Sequence, residues 1–130
     1  MKKFIFTISI FILLFSFSGC KTQTDTEPLH LGVNAIITEI DTDNQVITVT
    51  HIDSENAQNN QLTINCSDIP IIYCEYNSGK VASINFDDLQ INDEIILSLT
   101  DAEYQKFTSE NTGEIKAEQI QLSSQRLTVN

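Results

Sequence analysis

Basic residues are what this chain has least of: seven Lys and Arg stand against 18 Asp and Glu in 130 residues, a formal net charge of −11. A surface of that sign repels phosphate backbones, so nucleic acid is not an expected partner. Tryptophan is absent, and beyond residue 20 the aromatics are Tyr73, Tyr76, Phe86, Tyr104 and Phe107. A platform that stacks bases needs exposed rings beside basic side chains. Those neighbours are missing, and the rings read as core or rim packing. No Gly-x-Ser-x-Gly elbow supports a serine nucleophile. No Cys-x-x-Cys pair supports zinc. No cofactor, metal site or catalytic residue is therefore expected. Nor is there an apolar run long enough to span a bilayer. The longest, residues 4–17, reaches roughly 21 Å as a helix against a hydrocarbon core of about 30 Å.

That run has a specific setting. Lys2 and Lys3 precede it, and Ser18, Gly19 and Cys20 close it. A positive start, a short apolar centre and small residues at the end form an export signal. The Ala-x-Ala-like site of an ordinary secretory signal is absent. Phe17-Ser18-Gly19-Cys20 instead resembles the lipobox of bacterial lipoproteins, differing at Phe17, where that family usually has Leu. The resemblance implies a signal peptide over 1–19 and a diacylglyceryl group on Cys20, which becomes the new N-terminus. Each buried methylene of an acyl chain such as palmitate contributes roughly 0.8 kcal/mol, so two or more chains hold a protein firmly at a membrane.

Without residues 1–19 the chain has 111 residues, five of them basic (Lys21, Lys80, Lys106, Lys116, Arg126), and a formal charge of −13. That length suits one domain with a real core. Such a charge favours solubility and keeps the body of the domain off an anionic lipid surface. Residues 20–29 read as a lipid-anchored polar tether ending near Pro28, and 30–130 as the folded domain.

The pattern after the tether is of short strands. Residues 31–40 place Leu31, Val33, Ala35 and Ile37 on one face but Ile36 and Ile40 on the other, which predicts a bulge or a strong bend. Asp41-Thr42-Asp43-Asn44 reads as a turn, and 45–52 as the returning strand of a hairpin. The run 53–60 is a polar loop. Further strands are expected at 61–66, 69–76, 80–86, 94–99 and 114–122, with the apolar set of the last shifting from Ile115 and Ala117 to Ile120 and Leu122. Residues 86–93 form a corner. Thr100 and Glu103 match a capping box, so a short helix is expected over 101–108. The tail 123–130 is expected to be partly ordered, with Leu127 and Val129 pairing on an edge. Six or seven strands and little helix predict a small all-β barrel or sandwich, and the bent first and last strands favour the closed barrel.

The order of these features, and Phe86-x-x-Leu89-x-Ile91-x-Asp93 above all, is similar to an OB-fold-like domain of small uncharacterised lipoproteins, chiefly of Gram-positive bacteria. The resemblance covers roughly 31–122. That family usually has Gly before the aspartate; here it is Asn92, which tolerates a left-handed backbone better than most residues. The family supplies no catalytic residue to carry over.

Candidate chemistry is sparse. Cys66 and Cys74, eight residues apart in an exported segment, are either a disulfide or two reduced thiols packed as small hydrophobes. Asp41-x-Asp43-Asn44 looks like the start of a calcium loop, but Val46 and Ile52 stand where that loop needs Gly and Glu, so it reads as a turn. The function expected is that of a membrane-anchored extracytoplasmic binding module, held at the cell membrane by the lipid on Cys20, with an envelope protein or a small ligand as partner. The alternative is a small envelope hydrolase or metal-dependent enzyme using His51 with Asp87, Asp88, Asp93 or Glu94. It requires His51 and two carboxylates to meet in one cleft.

Overall fold

The computed structural model describes residues 28–52 and 60–130. The expected signal peptide, Cys20, nearly all of the expected tether and most of the 53–60 loop lie outside the described residues.

The first strand, β1 (Leu29–Asp41), is the longest and carries the expected irregularity. Val33, Ala35 and Ile37 are buried; Ile36, opposite Thr50, is half-buried on the other face, while Ile40, opposite the buried Ile47, packs against the core. Its register with β2 (Val46–His51) slips between Ile37 and Glu39, so Thr38 is the extra residue, and its hydroxyl donates to the Thr48 carbonyl at 3.2 Å. A second irregularity lies between His30 and Val33, where Gly32 takes a φ of +81° that a side chain would strain. The two strands are joined by the expected turn. The Asp41 carboxylate accepts the Asn44 backbone and side-chain N–H groups at 3.2 and 2.8 Å, which holds its pKa below the ordinary aspartate value.

The remaining strands are β3 (Gln61–Asn65), β4 (Ile71–Cys74), β5 (Val81–Ser83), β6 (Glu94–Thr100), β7 (Thr112–Ile115) and β8 (Gln119–Leu122). All eight form one sheet in the order β5-β4-β8-β6-β1-β2-β3-β7. The β3–β7 and β4–β8 pairs are parallel and the rest antiparallel. The expected single strand 114–122 divides where its apolar face shifts: Ile115 is buried from β7, and Ile120 and Leu122 from β8.

That division corrects the expectation of a closed barrel. Lys116, Ala117 and Glu118 carry the chain from β7 to β8, a span of at most roughly 14 Å. A flat sheet would separate two strands five places apart by roughly 24 Å. The sheet therefore curls until its ends approach, with the Glu118 N–H donating to the Ser98 carbonyl at 2.8 Å. No ladder joins β7 to β8, and the β4–β5 hairpin continues the sheet past β8. The sheet stays open because the chain uses these three residues to change partners rather than to pair.

Inside the curl lie Ile47, Val49, Leu62, Ile64, Ile95 and Leu97, each at most 1% exposed. The helix α1 (Asp101–Ser109) packs against β6, β1 and β7 and drives Phe107 into the same core. Half of the expected capping box forms: the Thr100 hydroxyl accepts the Glu103 N–H at 3.3 Å. The Glu103 carboxylate goes elsewhere, to the Lys106 ammonium at 3.1 Å and the Lys116 N–H at 2.9 Å. The corner at 86–93 opens with a 3-10 turn, Phe86–Asp88. Asn92 has a φ of +75°, the left-handed conformation for which its side chain is suited. The tail corrects a second expectation. No strand forms over 123–130; Leu127 and Val129 pack against the core, and the Tyr73 hydroxyl donates to the Leu127 carbonyl at 2.7 Å.

Candidate functional site

Where β1 begins, its first residues are fastened to α1. The Asp101 N–H donates to the Pro28 carbonyl at 3.0 Å. His30 Nε2 donates to Asp101 Oδ1 at 2.7 Å, and its ring stacks on Tyr104 with centroids 4.2 Å apart and planes 11° from parallel. One turn further along the helix, Phe107 meets the His51 ring at 5.0 Å. Between strand and helix lies a cleft of about 250 Å³ lined by His30, Asn34, His51 and Tyr104 with the backbone around Gly32. It brings together two imidazoles and one phenol, and Asp101 approaches through His30. Among the described residues no Ser, Thr or Cys lines it, and the Tyr104 phenol is the hydroxyl nearest the His30–Asp101 pair in its lining.

The carboxylates named with His51 are elsewhere. The acidic corner is arranged around Asp93, which is 4% exposed. Arg126 grips it with Nε to Oδ1 at 2.8 Å and a terminal nitrogen to Oδ2 at 2.6 Å, and the same guanidinium donates to the Asp88 carbonyl oxygen. Asp93 Oδ2 also accepts the Gln90 N–H at 2.8 Å. The bidentate hydrogen bonding raises the Arg126 pKa above its already high value. The Asp88 carboxylate accepts the Asn85 N–H at 2.8 Å, and Asp87 and Glu94 are exposed. The corner is a structural joint. The Asn92 N–H donates to the Ile37 carbonyl at 2.8 Å and the Ile37 N–H to the Asp93 carbonyl at 3.0 Å, which fixes the corner against the bulge in β1.

Cys66 and Cys74 are free thiols. Cys66 follows β3 and is buried, with burial pushing its thiol up to about 11. Cys74 is half-buried on the face of β4 opposite the buried Tyr73, because successive strand residues point to opposite faces. One thiol thus faces the core and the other turns away from it. Among the described residues no three His, Cys, Asp or Glu side chains are grouped to hold a metal ion, and no helix is long and apolar enough to cross a membrane.

The two side-chain pairs that organise these sites, His30–Asp101 and Arg126–Asp93, carry no signal in sequence. Their partners are 71 and 33 residues apart. Taken together, the described residues define a mostly β domain with one short helix, in which the buried Asp93 carboxylate is paired with Arg126. Comparison with family models, with curated proteins and with solved structures finds no match to the chain.

Proposed function

We propose that this chain is an extracytoplasmic lipoprotein whose OB-like β-domain is a non-enzymatic binding module, anchored to the cell membrane through Cys20. The observation that carries the location is the pattern of residues 1–20, positive then apolar then Ser-Gly-Cys, followed by a polar tether that reaches β1 at Leu29. The OB-like reading draws support from β1, which pairs β2 on one side and β6 on the other, and from the parallel β3–β7 pair. The OB class includes partly open sheets.

The binding reading, rather than the hydrolase, draws support from how the carboxylates are used. Asp93 is neutralised by Arg126, Asp101 is committed to His30, and Glu103 to Lys106. His51 meets Phe107, and no pair of described carboxylates lines its cleft. An acid and a base free to exchange protons with a substrate need to converge on it, and these groups diverge. The partner is an envelope protein or a small ligand.

The anchor is tested by the Cys20→Ser substitution in cells fed a labelled fatty acid. The wild-type protein is expected to take up label and sediment with membranes, and the variant to do neither. A variant that is still labelled refutes the assignment of Cys20.

A further inference from the structure

Among the described residues the outer edge of β5 has no partner strand, and its setting favours one kind of partner. The β4–β5 register opposes Ile72 to Ser83, Tyr73 to Ala82 and Cys74 to Val81. Just beyond the ladder, the Ile84 N–H donates to the Ile71 carbonyl at 2.9 Å and the Glu75 N–H to the Lys80 carbonyl at 2.9 Å. In an antiparallel pair, residues alternate between facing the partner strand and facing away. Residues 80, 82 and 84 therefore turn their backbone groups toward β4, and Val81 and Ser83 turn theirs outward. β5 is the last strand of the sheet, so no strand of the described chain covers that side.

Exposed edges are commonly blunted by charged side chains, proline, a bulge or a covering loop. Here Lys80 guards only the beginning. Val81 is 60% exposed, an apolar side chain beside open backbone groups. Two clefts open along the same edge and share Ser83 and Ile84. One, about 450 Å³, continues past Phe86 and Pro70; the other, about 340 Å³, continues past Tyr73 and Ala82 to Leu127. Backbone groups offered in line, with adjoining recesses for side chains, are the two parts of strand-addition recognition: the first gives affinity and the second selects the sequence.

Charge selects the occupant. Asp87 lines the first cleft and Asp88 the second, in a chain of net charge −11. A second copy would bring the same acidic groups to the same edge, and like charges brought together cost several kcal/mol. We propose that the β5 edge is the docking site for an extended, cationic segment of a partner protein, which adds as a ninth strand. This deepens the binding-module reading by naming its surface and partner chemistry. It rests on that reading only for the partner being extracytoplasmic, and its test reads backbone amides at β5 rather than attachment to a membrane.

The test is hydrogen exchange on the full chain in detergent micelles, with a nine-residue synthetic peptide alternating Lys and Val as the probe and its Glu-for-Lys counterpart as the control. The cationic peptide is expected to slow exchange of the Val81 and Ser83 amides by tenfold or more and to leave the β2 amides unchanged. Ser83→Pro removes one outward N–H, and an edge strand tolerates proline at such a position. This variant is expected to weaken binding at least tenfold while the Ile84 amide stays protected. If Ile84 loses protection, Val81→Pro replaces it, with the same expectation. No slowing at Val81 and Ser83 at millimolar peptide overturns the proposal, as does equal slowing by the acidic peptide. Protection that rises with protein concentration in the absence of peptide also overturns it, in favour of a second copy.

Discussion

Truncating Arg126 strips the buried Asp93 carboxylate of its cationic partner. Arg126→Ala removes both hydrogen bonds to Asp93 and the one to the Asp88 carbonyl. It leaves a carboxylate 4% exposed with the Gln90 N–H as its remaining hydrogen-bond donor. Breaking a buried ion pair from one side typically costs about 3–5 kcal/mol, because an uncompensated charge stays in the interior. The Arg126 side chain is 25% exposed, so water reaches part of the vacated space and screens Asp93. Discounted for that screening, the expected loss is about 2–3 kcal/mol. For a domain near 100 residues, where 1 kcal/mol moves the midpoint by about 4–8 °C, the melting temperature falls by about 10–20 °C. Circular dichroism melts of the full chain in detergent measure it. Arg126→Lys keeps the charge but loses the two-pronged geometry, and should fall between wild type and Ala. The decisive variant is Asp93→Asn combined with Arg126→Ala. Removing the stranded charge should recover part of the loss, since an amide can still accept the Gln90 N–H. An Arg126→Ala protein that melts with the wild type, or a double variant less stable than the single one, refutes the account.

Two more predictions follow from single residues. Asn92 has a φ of +75° while its N–H binds the Ile37 carbonyl; Asn92→Gly should therefore be nearly neutral, and Asn92→Val should cost about 1–2 kcal/mol in denaturant unfolding. Equal midpoints for the two would show that the corner does not depend on a left-handed residue. With burial holding the Cys66 thiol at about 11, roughly one thiol in a thousand is ionised at pH 8. Iodoacetamide should thus label half-buried Cys74 well before Cys66, and comparable rates in peptide mass analysis refute the packing of Cys66. Because the folded pKa is raised, the contribution of Cys66 to stability is complete below an unfolded value near 9 and is lost as pH rises toward about 11.

Local features were legible in the sequence wherever neighbouring residues suffice to determine them. The bulge in β1 follows from Ile40 falling out of phase with Val33, Ala35 and Ile37, because a strand cannot bring all four to the core face without an extra residue. The helix start at Thr100 and the turn at Asp41 are each settled by a side chain that reaches backbone three residues away. The left-handed backbone at Asn92 likewise belongs to one residue. The phase shift within 114–122 fits a bend that closes a barrel. It is instead the exchange of one partner strand for another, and the apolar pattern is the same in both cases. Only the pairings of β7 with β3 and of β8 with β6 and β4 separate them. These are contacts between distant segments that no local period encodes.

The charged residues show the same limit more sharply. With 18 acidic and seven basic residues, most carboxylates must stay unpaired in water, and the sequence does not say which one is buried. Asp93 is singled out because the corner turns it inward beneath β1, and Arg126 reaches it because the tail crosses that corner. The Glu94 N–H donates to the Ser124 hydroxyl at 2.9 Å, and Gln125 bridges the Cys74 carbonyl at 2.9 Å and the Tyr76 N–H at 2.8 Å. These bonds flank Arg126 and set its position before its own contacts count. The tail is therefore not a frayed terminus that happens to touch the sheet. It fills space beside β4 and β5 that the open sheet leaves, and it supplies the one cation that the buried carboxylate needs. Opening the sheet at 116–118 and ordering the tail over the β4–β5 hairpin are in this sense one structural solution. A fully closed barrel would have no such hairpin to cover, and no free β5 edge.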